Sequence, residues 1–341
     1  MNDDILFSRS GRAGLVTLNR PAALNALNRA MCVAMHRQMQ DWALEPAVEL
    51  IVVQAAGGRA FCAGGDVMGL HAAGRAGSAA WEEFFHDEYR LNQAIAYYPK
   101  PIIPLVDGIA MGGGVGISIH APFRVATERT VFAMPETGIG LIPDVGASHA
   151  LPRFPGELGT WLALTGARVK GADAVAIGYC THHVPSAELP LLIERLANAD
   201  ETVAHILNTF HTMPDDLTIP ALRDGIDYHF AHDDVAAILA SLDEGDDWAM
   251  AQAAAIRAMS PTSTKLALHT LRAGAGATIE TALKLEYRIV SAIKGGTDFY
   301  EGVRAQLIDK DRMPKWQPAR LEDVDIAPYL HEPAWGDLDF G

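Results

Sequence analysis

Two apolar runs that each break into a glycine-rich exit constrain this chain more than any other feature. Ile102-Ile103-Pro104-Leu105-Val106, bounded by prolines and by Asp107-Gly108, reads as a short buried strand. Beyond it, Gly112-Gly113-Gly114 opens Val115-Gly116-Ile117-Ser118-Ile119-His120, whose small and apolar residues suit a buried helix. Leu50-Ile51-Val52-Val53-Gln54 is a second such strand, followed by Arg59-Ala60-Phe61-Cys62-Ala63-Gly64-Gly65-Asp66. Glycines at a helix start leave backbone N–H groups uncovered, and the helix dipole behind them favours developing negative charge. Two such exits could aim the N–H groups of Gly65 and Gly113 at one carbonyl oxygen, an effect worth roughly 3–4 kcal/mol per donor in acyl transfer. The same glycines also permit close helix packing, and the local pattern leaves both readings open.

Two carboxylates follow, eight residues apart on Gly/Pro-rich turns. Glu136 comes after Phe132-Ala133-Met134-Pro135, an apolar approach that should desolvate it, raise its pKa and make it a usable base or nucleophile. Its plainer reading is a turn-capping carboxylate. Asp144 stands between Leu141-Ile142-Pro143 and Val145-Gly146, where it could equally be the N-cap of a helix beginning near Ala147. If both share a pocket, their pKa values separate and their roles divide into base and proton donor. Upstream, Trp81 to Arg90 reads as an amphipathic helix with an acidic face, on which Glu88 could be one more solvated charge. His71 to Ala80, small and Gly/Ala-rich, reads as a mobile loop, although alanine also favours helix.

The segments FCAGGD, DGIAMGGGVG and AMPETGIGLIPDVG together resemble the crotonase (enoyl-CoA hydratase/isomerase) superfamily. The likeness continues through LPR, LALTGARVKGADAVAIGYCTHHV, MSPTSTK, LEYR and DFYEGVRAQLIDKDRMPKW, nearly the whole chain, and favours its 3-hydroxyacyl-CoA hydrolase branch. The resemblance implies an α/β spiral of ββα units with a C-terminal helical region. It implies Gly65 and Gly113 as oxyanion donors and Glu136 as the residue that attacks, or activates water at, a thioester carbonyl. Asp144 would bind the substrate hydroxyl and assist proton transfer, while Glu88, Ala63 and Asp66 would line the substrate. Hydratases of the superfamily carry a second catalytic glutamate two residues after the glycine run. Here that position is Gly116, which disfavours water addition and leaves room for a branched hydroxyacyl group. The implied reaction is hydrolysis of a short branched 3-hydroxyacyl-CoA, such as 3-hydroxyisobutyryl-CoA from valine breakdown. The alternatives are an enoyl-CoA isomerase or hydratase, or a non-catalytic acyl-CoA-binding protein. No metal or redox cofactor is implied, since CoA arrives with the substrate, and relatives of this kind often assemble as trimers.

With 341 residues, 49% of them hydrophobic, the chain can bury one large core. Residues 1–200 are expected to form the ββα core with the CoA and acyl sites, and 201–341 a helical region continuous with it. A net charge of -15 argues against nucleic acid or an anionic membrane as partner. Met1-Asn2-Asp3-Asp4 shows no signal-peptide pattern, and no run of about 18 apolar residues suggests a span. Cys32, Cys62 and Cys180, odd in number and scattered, argue against a disulfide framework, and the expectation is a reducing cytoplasm.

Near the N-terminus, Ile5 to Arg9 and Gly14 to Asn19 read as a hairpin. Asn28 to Leu44 reads as a helix with a core stripe of Met31, Met35, Met39 and Trp42. His182-His183 and the His229/His232 pair read as structural histidines. Ser260-Pro261-Thr262 reads as a helix start. Lys310, Arg312 and Lys315 form a basic patch that either contacts CoA phosphates or is a salt-bridged face, and the tail after Gln317 should wrap or fray.

Overall fold

The computed structural model describes residues 3–214 and 217–340; Met1 and Asn2 of the N-terminal stretch considered above lie outside it. The chain divides into two compact units, Met1–Gly65 with Asp87–Phe132 and Arg168–Pro220, and Asp66–His86 with Ala133–Ala167 and Ala221–Gly341.

The first unit holds the sheets. Strands β1 (Ile5–Ser10) and β2 (Ala13–Leu18) form the expected hairpin, with Ile5 opposite Leu18. Helix α1 (Arg29–Leu44) follows, its first turn capped by the Asn28 side chain, which accepts from the Met31 N–H at 2.9 Å. Its stripe of Met31, Cys32, Met35, Met39 and Trp42 is buried, as helical spacing demands. Strand β3 (Leu50–Ala55) pairs parallel with β2 and is buried over its first four residues, the signature of a strand covered on both faces. β4 (Ala60–Cys62) leads into the first glycine exit, and β5 (Ile102–Val106) and β6 (Ile109–Met111) lead into the second. Pro104 is tolerated within β5 because pairing with β7 (Val125–Ala126) begins only at Leu105. With β8 (Val131–Ala133), β9 (Val169–Lys170) and β10 (His182–His183), the order is β1-β2-β3-β5-β7-β10 in one sheet and β4-β6-β8-β9 in the other. The helices Leu189–Asn198 and Val203–Phe210 bury Leu192, Leu196, Ile206 and Leu207 against Leu50, Val52, Ile103 and Leu105 of the larger sheet.

The second unit is helical. Val67–Arg75 forms α2, so His71–Arg75, the first half of the small-residue segment expected to be a mobile loop, is helix. Asp66 caps it by accepting from the Gly69 N–H at 3.0 Å, and its alanines supply helix propensity. Gly74 fits there because a methyl group on it would lie 2.4 Å from the Tyr300 hydroxyl. Helix α3 (Ala80–Ala96) starts in this unit with Trp81, fully buried between Phe85 and Phe299, its indole N–H donating to the Val290 carbonyl at 3.1 Å. The helix Pro261–Gly274 begins as expected at Ser260, whose hydroxyl accepts from the Ser263 N–H at 3.0 Å. The tail wraps: Asp337 pairs with Arg288, and the Trp335 indole donates to the Tyr287 hydroxyl at 3.3 Å. Among the described residues no helix is long and apolar enough to cross a membrane.

Candidate active site

The two glycine exits meet in the first unit. Helix α4 (Gly113–Ile119) starts from Gly112, whose φ of 46° and ψ of -121° only glycine adopts without strain. Its neighbour Gly114 serves packing, since a methyl group there would lie 2.1 Å from the Cys62 carbonyl oxygen. A methyl group on Gly113 would instead lie 2.4 Å from Glu88 Oε1 and 3.3 Å from the Gly65 nitrogen. The packing reading of the glycine run therefore holds at Gly114, while Gly113 borders Gly65 and Glu88. Neither the Gly65 nor the Gly113 N–H is among the donors that close the turns around them. Ala63 is tied into its turn by its own N–H, which donates to the Leu24 carbonyl at 3.0 Å. Glu88 is buried on α3, not on a solvated face. Burial pushes the neighbouring Cys62 thiol up to about 12, so this cysteine is no thiolate nucleophile.

The carboxylates belong to the second unit. Glu136 opens a short 3-10 turn, Glu136–Ile139, and is only 6% exposed. Its Oε2 is buried with no hydrogen-bond partner among the described residues. Burial, and after it the Asp144 carboxylate, raise its pKa well above the usual carboxylate range. The N-cap of this turn is Pro135, and no side-chain capping bond closes it. Asp144 is 4% exposed. It does not cap helix α5 (Ala147–Ala150), whose N-cap is Gly146 with no side-chain bond. The Asp144 backbone carbonyl accepts from the Ala147 N–H at 2.8 Å.

A third carboxylate, Glu286, was not singled out from the sequence. It is fully buried on the helix Ile279–Ile293 and accepts from the Gly146 N–H at 2.7 Å, the Ser148 N–H at 2.9 Å and the Ser148 hydroxyl at 2.5 Å. Burial pushes it up to about 8 against the pull of the Ser148 hydrogen bond, with the Asp144 carboxylate adding to the rise. The signal was present: Glu286 lies in register with Ala282, Leu283, Ile289 and Val290 on the apolar stripe, where a charge needs built partners.

Other candidates resolve as structural. His183 Nδ1 lies 3.0 Å from the Thr212 carbonyl, and His229 Nδ1 lies 2.8 Å from the Ser241 hydroxyl. Ser118 is buried, its hydroxyl 2.7 Å from the Tyr179 hydroxyl. Lys310 and Arg312 are exposed, while Lys315 joins Arg75, Lys294 and Tyr300 around a cavity of about 520 Å³. In that cavity Lys294 is bonded to Glu82, and the Arg75 guanidinium stacks over Tyr300. Among the described residues no group of three His, Cys, Asp or Glu side chains is arranged to hold a metal ion.

Parallel strands ending in glycine turns, with buried carboxylates on the turns that follow, are the crotonase arrangement, and residues 13–329 match the family described as enoyl-CoA hydratase/isomerase: the chain belongs to it. Among curated relatives, "3-hydroxyisobutyryl-CoA hydrolase, mitochondrial" of Rattus norvegicus is 46% identical over 99% of this chain and 91% of its own length. The protein of the same name from Homo sapiens is 43% identical over the same shares. Among solved structures, a carnitinyl-CoA dehydratase from Mycobacterium thermoresistibile superposes with a TM-score of 0.94 at 38% identity, covering 99% of both chains. An enoyl-CoA hydratase from Rhodobacter sphaeroides 2.4.1 does so with a TM-score of 0.87 at 42% identity, covering 99% of this chain and 100% of its own.

These relatives correct one expectation. Several of the hydrolases are mitochondrial by name, which overturns the cytoplasmic assignment. The physical reason is that three unpaired cysteines report a reducing environment, and that condition does not distinguish one reducing compartment from another.

Proposed function

We propose that this chain hydrolyses a short branched 3-hydroxyacyl-CoA thioester, 3-hydroxyisobutyryl-CoA to 3-hydroxyisobutyrate and CoA, a reaction of valine breakdown. The observation that carries the reading is the Glu136 carboxylate, buried and raised in pKa, with one oxygen unpartnered and Asp144 as its charged neighbour. A desolvated carboxylate with a free lone pair is a strong base and nucleophile once ionised. The hydrolase names of relatives above 40% identity over nearly the whole chain support the same assignment.

In this reading the Gly65 and Gly113 N–H groups hold the thioester oxygen as it gains charge. Glu136 either adds to the carbonyl carbon, expelling the CoA sulfur and leaving an anhydride for water to open, or takes a proton from the attacking water. Both routes consume one water and yield an acid and a thiol. Asp144 accepts the substrate hydroxyl and carries the proton to sulfur. Glu88, buried beside Gly113, contacts the acyl group, with Ala63 and Asp66 flanking the same substrate.

Hydration is the second reading, favoured by the names of the two solved relatives. It asks for a second carboxylate where this chain has Gly116. The deciding experiment follows thiol release from 3-hydroxyisobutyryl-CoA by wild type and Glu136→Gln, with 2-enoyl-CoA hydration measured alongside. Thiol release that falls by about 10²- to 10⁴-fold in the variant supports the hydrolase. Hydration or double-bond migration without thiol release refutes it. Single turnover in ¹⁸O-water, followed by mass analysis of the Glu136 peptide, identifies an anhydride that water opens at the glutamyl carbonyl, because direct water attack leaves no label in the side chain.

A further inference from the structure

The segment Val145–Gly146 links Asp144 to helix α5, and its backbone is unusual. Val145 has φ 55° and Gly146 has φ 80°, two successive residues in the left-handed region. Glycine enters that region freely, whereas a buried β-branched valine is a genuine outlier there. Such a conformation persists only where the surroundings over-determine it. Two features do so. The Ser148 carbonyl lies so close to Gly274 that a methyl group on that glycine would be 1.9 Å from it. On the other side, both oxygens of the Glu286 carboxylate are spent on Gly146 and Ser148.

We infer that Glu286 is a positioning residue of the hydrolytic site: by gripping the Gly146 and Ser148 N–H groups it holds Val145 in its left-handed conformation and so aims the Asp144 carboxylate. The grip survives a change of charge. If Glu286 takes a proton on the oxygen facing Ser148, the serine hydroxyl turns from donor to acceptor while both N–H bonds stay. Glutamine cannot reproduce it, because whichever way the amide is turned its NH₂ group faces one of the two backbone N–H groups. The inference rests on the hydrolase reading for its activity assay, but not for its structural one.

The test is a double-mutant cycle on the full-length chain, with Glu286→Gln, Asp144→Asn and the pair assayed for thiol release from 3-hydroxyisobutyryl-CoA. Misaiming a reacting group by about an ångström costs up to about 100-fold, so kcat should fall roughly 10- to 100-fold in Glu286→Gln with KM little changed. In the Asp144→Asn background the same substitution should change kcat by no more than about twofold, because nothing is left for it to aim. Equal losses in both backgrounds would show general damage and overturn the inference. A crystal structure of Glu286→Gln reads the turn without any substrate: Val145 should leave positive φ and Asp144 should shift. An unchanged turn overturns the inference whatever the chain hydrolyses. If Glu286→Gln does not fold, Glu286→Asp, which keeps both acceptors but shortens the reach, replaces it in both measurements. A wild type that releases no thiol refutes the hydrolase reading alone, and the crystal structure then decides the positioning role.

Discussion

Replacing Gly113 by alanine separates the proposed oxyanion role of the glycine run from its packing role. The new methyl group would lie 2.4 Å from Glu88 Oε1, 3.2 Å from Leu27 Cδ1 and 3.3 Å from the Gly65 nitrogen. It would crowd the Gly65 nitrogen, one of the two donors proposed for the thioester oxygen. Loss of one oxyanion donor lowers kcat by about 10²- to 10³-fold, and on the proposed assignment a loss of at least about 10²-fold is expected. Stability should suffer less. The closest displaced atom is the end of a glutamate side chain, which puts the cost within the about 1–3 kcal/mol of an overpacked site. Gly114→Ala is the control. Its methyl group would lie 2.1 Å from the Cys62 carbonyl oxygen and 2.8 Å from the Cys62 carbonyl carbon, backbone atoms that cannot swing away. That variant should melt earlier than Gly113→Ala and lose activity only through lost fold. The measurements are thiol release under saturating substrate and calorimetric melting of both variants. If Gly113→Ala keeps kcat within about threefold of wild type while melting normally, the donors are not where the reaction needs them and the assignment fails.

Other outcomes follow from the buried groups. Because burial and Asp144 raise Glu136, its reactive carboxylate form is reached only above the ordinary carboxylate range. The acid limb of kcat/KM against pH should therefore lie higher than a free glutamate's, about 4.3, and a limb at or below that value would contradict the burial argument. Glu286, raised from 4.5 to about 8, binds its proton more tightly folded than unfolded. Its contribution to stability is therefore fully present below the unfolded pKa and lost as pH rises through about 8, by at most roughly 5 kcal/mol. Urea midpoints between pH 6 and 9 should accordingly fall more steeply for wild type than for Glu286→Gln, and parallel curves would refute the shift. Trp81→Ala should cost about 3–5 kcal/mol by emptying the space between Phe85 and Phe299. Leu44→Ala, at an 87% exposed position, should cost less than about 0.5 kcal/mol. Chemical denaturation of the two variants compares them directly, and similar costs would contradict the burial pattern.

Local sequence carried what local physics decides. The hairpin, the capped α1 with its methionine stripe, the buried strands β3 and β5, and the helix start at Ser260 follow from periodicity, capping and turn chemistry within a few residues. The loop expectation for His71 to Ala80 failed over His71–Arg75 because composition alone weighs glycine against alanine. In the fold, Asp66 caps the segment and Tyr300 occupies the space that Gly74 leaves.

By itself the sequence determined which groups are available for chemistry: glycine exits after buried strands, two carboxylates in apolar turns, and no carboxylate at Gly116. Only tertiary structure decided what each does. That Gly113 faces Gly65 and Glu88 while Gly114 packs on Cys62 depends on contacts across about 25 to 50 residues. That Asp144 is not a helix cap, and that Glu286 grips its turn, depends on a helix some 140 residues further along. A pKa or an orientation is set by whatever the rest of the chain brings within a few ångströms, and this is information that no window of neighbouring residues contains.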